Sequence, residues 1–166
     1  MTVDDAVRRK TISWQDPRPA MAAGRAMSGL DYLTAMAEGR LPAAPFAAHL
    51  GMRAVSVSEG NAHFAATPDE SLYNPIGMVH GGVAAAMLDS AVGCAVHTTL
   101  PAGVGYTSVE LKVSFVRAIT ATSGEIHARG WLVKGGSRIA FGEGDLRDAD
   151  GTLLATASST LLITTS

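Results

Sequence analysis

His80-Gly-Gly-Val-Ala-Ala-Ala-Met-Leu-Asp89-Ser-Ala-Val-Gly-Cys-Ala-Val-His97 is the stretch on which the fold turns. Two glycines open it, and from Val83 to Val96 the side chains are almost all apolar and mostly small. A helix with hardly any polar face has to be surrounded by other structure. Its small residues let a sheet or a second copy of the helix approach closely. The apolar run from Gly82 to Val96 is shorter than the ~20 residues a membrane helix needs and carries Asp89 near its middle, so it reads as a core helix rather than a membrane span.

On either side of the helix the pattern changes to strands. Met52 to Val57 and Asn61 to Thr67 read as a hairpin turning at Glu59-Gly60. A loop from Pro68 to Val79, with Asn74-Pro75 and Gly77, leads into the helix. After it, Tyr106 to Arg117, Gly124 to Lys134, Arg138 to Arg147 and Thr152 to Ile163 read as four strands, with Asp150-Gly151 as a hairpin turn. In the first of these, Val109, Leu111, Val113 and Phe115 alternate with Ser108, Glu110, Lys112 and Ser114, which predicts one buried and one exposed face. Two strands, one long helix and four strands define an α+β chain whose curved antiparallel sheet must wrap around one central helix.

Further upstream, Ser28 and Asp31 predict the capped start of a short helix carrying Leu30, Leu33, Met36 and Ala37, ending at Gly39 and Pro42. Residues 1 to about 27 show no sustained period and read as a tail or loosely packed extension. The division is therefore an N-terminal extension with a short helix over residues 1–45 and a main domain over 46–166. One domain is what 166 residues allow.

With 13 basic against 15 acidic residues and a formal charge of -2, the field that draws a chain to nucleic acid is missing. The single cysteine, Cys94, cannot form an internal disulfide, and no basic then apolar leader opens the chain. The expectation is a cytoplasmic protein with no nucleic-acid or membrane partner. His49, His63, His80, His97 and His127 lack ligand spacing, so no metal is expected. Gly142-Glu-Gly144 lies within a strand pattern and reads as a bulge or packing gap rather than a dinucleotide loop. No Gly-x-Ser-x-Gly elbow is present.

Asp89 is the residue that asks for chemistry, because a carboxylate within an apolar helix carries a heavy desolvation cost unless it is partnered. It either serves a site or pairs with an Arg, a His or a loop. His80-Gly81-Gly82 alone is weak, since two glycines can simply serve a tight helix entry.

Taken together, Asn74 six positions before His80, the His80-Gly81-Gly82 triplet, Asp89 nine positions after His80 and the strand Thr107 to Arg117 resemble the hot-dog thioesterase superfamily, specifically its PaaI-like acyl-CoA thioesterases. The resemblance covers roughly residues 46–163, and Ser28 to Pro45 looks like the leader of some members. It implies a hot-dog fold and hydrolysis of an acyl- or aryl-acyl-CoA to free acid and CoA. It further implies that the Gly81 N–H polarises the thioester carbonyl, a task suited to a helix N-terminus. Asp89 would act as general base or nucleophile, Asn74 would orient thioester or water, and Ser108 would help to hold the water. His80 is left between bonding substrate, fixing the loop and merely fitting the turn. Two departures from the family stand out: Gly93 occupies the position where some members carry Thr, and Ala118 follows Arg117 where many have Pro.

CoA is part of the substrate, so no separate cofactor is implied. Its phosphates need cations, for which Arg117, Lys134 and Arg138 are candidates beside Gly82 and the Gly135-Gly136 turn. Leu72, Tyr73, Ile76 and Met78 are candidates for the acyl pocket or for ordinary packing. Gly81 and Asp89 lie roughly 12 Å apart along one helix, too far to reach one thioester carbon together. A homodimer with sites between subunits is the minimal unit expected, with a homotetramer as the full assembly. Two other readings stay open: a hot-dog enoyl-CoA hydratase or dehydratase using His80 with Asp89, and a non-enzymatic acyl-CoA-binding module.

Overall fold

A computed structural model describes residues 6–165. Six antiparallel strands form one sheet: β1 (Arg53–Ser58), β2 (Asn61–Ala66), β3 (Val104–Phe115), β4 (Ile126–Lys134), β5 (Ile139–Asp148) and β6 (Leu153–Thr165), in the order β1-β2-β4-β5-β6-β3. The long helix α4 (Gly81–His97) packs against five of them, β2 to β6, so the sheet curls around it. Each strand starts and ends within two residues of its expected position, and α4 stops at His97 as expected. Val104 and Gly105, before the expected start at Tyr106, lie inside β3.

Close approach of helix and sheet depends on glycine. A side chain at Gly130 of β4 would lie 2.3 Å from the Ala91 carbonyl of α4, and one at Gly142 of β5 would lie 2.6 Å from Val92. Gly144, paired with Gly130 across the ladder, sits under Val92 and Leu88. Gly142-Glu-Gly144 is thus a packing gap, as read from the sequence. Met87, Leu88, Ala91, Val92, Ala95 and Val96 are completely buried in this contact.

The alternation in β3 is interrupted. Pairing with β6 slips between Ser108 and Glu110, leaving Val109 as a bulge 56% exposed. Leu111 and Val113 still pack on the core, but Phe115 at the strand end is 62% exposed. Val109 and Phe115 therefore do not join the buried face, and Ser108 comes onto the face that meets α4.

Upstream, α2 (Gly29–Ala37) starts as expected, with the Ser28 hydroxyl accepting from the Asp31 N–H. Gly29 is pressed so close to α4 that a side chain would strike the His97 carbonyl, and its N–H bonds the Leu100 carbonyl at 3.0 Å. Two further helices were not expected: α1 (Arg18–Gly24) and α3 (Pro45–Leu50). In both, proline stands in the first turn, where its missing N–H costs nothing, and alanines follow. The first five residues of the presumed tail lie outside the described residues.

Candidate active site

The Val109 bulge turns Ser108 towards α4, where its hydroxyl donates to Asp89 Oδ1 at 2.8 Å. Asp89 is half-buried within the single chain, not enclosed as the apolar run suggested, because a stripe of α4 that includes Ala85, Ala86, Asp89 and Ser90 stays partly open. The second carboxylate oxygen has no hydrogen bond among the described residues. A hydroxyl that donates to a carboxylate keeps its lone pairs, so Ser108 can accept a hydrogen bond from a water held beside Asp89.

At the start of the helix, His80 is the N-cap: its Nδ1 accepts from the Gly82 N–H at 2.9 Å. The Val83 N–H bonds the His80 carbonyl at 2.9 Å. The Gly81 N–H is left without a partner among the described residues, at the positive end of a 17-residue helix. A side chain at Gly81 would meet the Phe115 ring at 3.1 Å. Phe115, read only as one step of the strand pattern, therefore closes one side of this donor. No local spacing ties residue 115 to residue 81, which meet only through the fold.

Asn74 spends its side-chain carbonyl on its own loop, accepting from the Ile76 and Met78 N–H groups, each at 3.1 Å. This orients its amide so that the NH2 group remains for another acceptor. Asn74 and Gly81 line one pocket of about 230 Å³ together with Met78, Phe115 and Arg117. Asp89 and Ser108 lie away from it, in line with the expected separation along α4. His80 and Asp89, roughly 13 Å apart along the same helix, form no acid–base pair within the chain.

The three candidate cations are not brought together in one chain. Arg117 follows Phe115, which pairs with Ala155, whereas Arg138 bonds through its carbonyl to Ile163 at the other end of β6. Eight residue steps of strand, roughly 26 Å, separate Ala155 from Ile163. Lys134 and Arg138 flank the β4–β5 turn, and all three side chains are exposed. Of the suggested acyl-pocket residues, Leu72 packs on the core, Tyr73 accepts from the Ala121 N–H at 3.0 Å, and Ile76 is 74% exposed.

Near Asp89, burial holds the Tyr106 hydroxyl well above the ordinary phenol range, with Cys94 and Asp89 acting in the same direction. Burial pushes the Cys94 thiol up to about 12. Some of the Cys94 surface is accessible, but burial outweighs its hydrogen bond with Tyr106 and the thiol stays protonated at neutral pH. It is not a nucleophile there. No described group of His, Cys, Asp and Glu has metal-binding geometry, and no described helix is long and apolar enough to cross a membrane.

The family model that matches is that of the thioesterase superfamily, over residues 76–155. This span holds His80, Gly81, Asp89 and Ser108 and begins just after Asn74. A phenylacetic acid degradation-related protein of Ralstonia eutropha JMP134 superposes with a TM-score of 0.71 at 31% identity, covering 79% of this chain and 98% of that one. A thioesterase family protein of Silicibacter pomeroyi gives a TM-score of 0.70 at 25% identity, with 81% and 96% covered. The PaaI protein of the E. coli phenylacetic acid degradation operon gives 0.70 at 19% identity, with 82% and 94% covered, a likeness of fold. No curated protein matches the chain. The chain belongs to the thioesterase superfamily and has the hot-dog fold.

Proposed function

We propose that the chain hydrolyses acyl-CoA thioesters, with Asp89 and Ser108 of one subunit acting beside Gly81 and Asn74 of another. The observation that carries this reading is the Ser108–Asp89 hydrogen bond of 2.8 Å on the open stripe of an otherwise apolar helix. A carboxylate kept there without an Arg, Lys or His partner has no evident structural purpose.

In this reading the thioester oxygen binds the Gly81 N–H and the Asn74 amide, which stabilise the charge that develops on it. Water held by Ser108 attacks the carbonyl carbon and gives its proton to Asp89; the C–S bond then breaks, and CoA leaves as a thiol after taking up that proton. In the nucleophilic variant Asp89 attacks directly, and water hydrolyses the resulting anhydride. Neither route needs a metal or separate cofactor.

Two facts support pairing of subunits. Gly81 and Asp89 are too far apart along α4 for one thioester. In addition, β3 is a sheet edge of 12 residues with exposed Val109 and Phe115, the kind of edge that proteins normally cover. A homodimer is the minimal unit of the proposal, a homotetramer the fuller one, and the cytoplasm the compartment. The test is thiol release from a panel of acyl- and aryl-acyl-CoAs, run beside an enoyl-CoA hydration assay. Thiol release that disappears in Asp89→Asn supports the reading. Hydration without thiol release, or binding without either, overturns it.

A further inference from the structure

A second space opens on the other flank of the α4 stripe. Asp89 faces β3, whereas Ser90, about 100° further round the helix, faces a partly open cavity of about 270 Å³ lined by α2, α3, β1 and β2. Leu33 and Met36 of α2, Ala44 and Ala47 beside α3, Met52 and Phe64 wall it. Its polar groups are already engaged: Ser90 donates to the Ala86 carbonyl at 2.8 Å, and Arg53 is held by Glu125 at 2.9 Å. Such a lining recognises an apolar group and offers nothing to a charged one.

We propose that this cavity takes the acyl group of the thioester and that its α2–α3 wall limits the length of that group. The proposal rests on the thioesterase reading of Asp89, whose neighbour on α4, Ser90, lines the cavity. A cavity of about 270 Å³ is large enough for several methylenes. It suits a medium-length straight chain, or one aromatic ring on a short linker. The acyl end is thereby moved from the loop around Tyr73 and Ile76 to the helices before β1.

The test uses the full chain and two wall variants. Ala44 is exposed and has ordinary extended backbone, so Ala44→Phe narrows the cavity without crowding the core; Met36→Ala enlarges it. Activities on butanoyl-, octanoyl- and dodecanoyl-CoA are compared as kcat/KM, and octanoate binding is measured by calorimetry. Ala44→Phe is expected to lower the octanoyl to butanoyl ratio at least ~10-fold, as a few misplaced methylenes do in an apolar pocket, and to abolish octanoate binding. Met36→Ala is expected to raise relative activity on dodecanoyl-CoA. Thiol release with unchanged length preference in both variants overturns the cavity assignment and leaves the hydrolase reading standing. No thiol release from any substrate, with octanoate binding that Ala44→Phe removes, does the opposite. Absence of both activity and octanoate binding in the unaltered chain overturns both.

Discussion

Ser108 donates to Asp89 across 2.8 Å because Val109, the next residue, bulges out of the β3–β6 ladder. Without that extra residue, Ser108 would fall on the face opposite to Leu111 and Val113 and point away from α4. The pair makes unequal demands on its members. Asp89→Asn is expected to keep the fold and lower kcat/KM at least ~10²-fold, because it removes the base or nucleophile. Ser108→Ala removes one hydrogen bond to a charged group, worth about 1.5–3 kcal/mol, and is expected to cost about ten- to a hundredfold. Steady-state thiol release measures both, and equal losses would contradict the ranking.

Asn74 has two duties that one substitution pair separates. Its carbonyl holds the Ile76 and Met78 N–H groups, whereas the amide NH2 is assigned to substrate. Asn74→Asp keeps the acceptor, and so is expected to preserve the melting temperature while removing most turnover. Asn74→Ala is expected to lose both, the stability loss being about 1 kcal/mol for each missing bond. Full activity in Asn74→Asp would remove the amide from the mechanism.

A site divided between subunits predicts complementation. Asn74→Asp and Asp89→Asn chains, each nearly inactive, are mixed in equal amounts and allowed to exchange. Random pairing makes about half the dimers mixed, each with one intact and one doubly altered site, so activity is expected to rise to about a quarter of the unaltered level. Exchange confirmed by mass spectrometry without any rise would overturn the divided site.

Gly130→Ala tests the contact between helix and sheet. The added methyl would lie 2.3 Å from Ala91 backbone atoms, which cannot yield as a flexible side chain does. A loss of at least ~2 kcal/mol is expected from the urea midpoint. Gly135→Ala, whose nearest neighbour is Leu132 at 3.7 Å, is the control and is expected to change little.

Acid is expected to destabilise the fold through His97. Its ring lies with centroids 5.9 Å from Tyr32 and 5.4 Å from Tyr106, and burial lowers its pKa below the ordinary value of 6.5. The unfolded chain therefore binds a proton first as pH falls, so stability present above about 6.5 declines below it. His63 is also lowered, by burial first and then by Arg129, His127 and Arg53. His97→Gln should thus flatten, without abolishing, the fall of the melting temperature between pH 7 and 5. An unchanged slope would remove His97 as a cause.

Much of this molecule is written in local order. An apolar helix of small residues between Gly81 and His97, flanked by period-two segments and Gly turns, determined an α+β chain with its sheet around one helix, since burial leaves few other solutions. The eight-residue interval from Gly81 to Asp89 determined that one helix cannot bring both to one carbon, because the rise per residue does not vary. Three things were decided only in three dimensions. The Val109 bulge depends on how β3 registers with β6, some fifty residues later, and it alone puts Ser108 beside Asp89. Prolines 19 and 45 start helices rather than prevent them because Ala20 and Ala47 find a core to bury against. The apolar cavity beside Ser90 is built from residues spread between Leu33 and Cys94, whose meeting no spacing announces. Periodicity records which face of an element is apolar; which faces meet, and what space they leave, is settled by packing at long range.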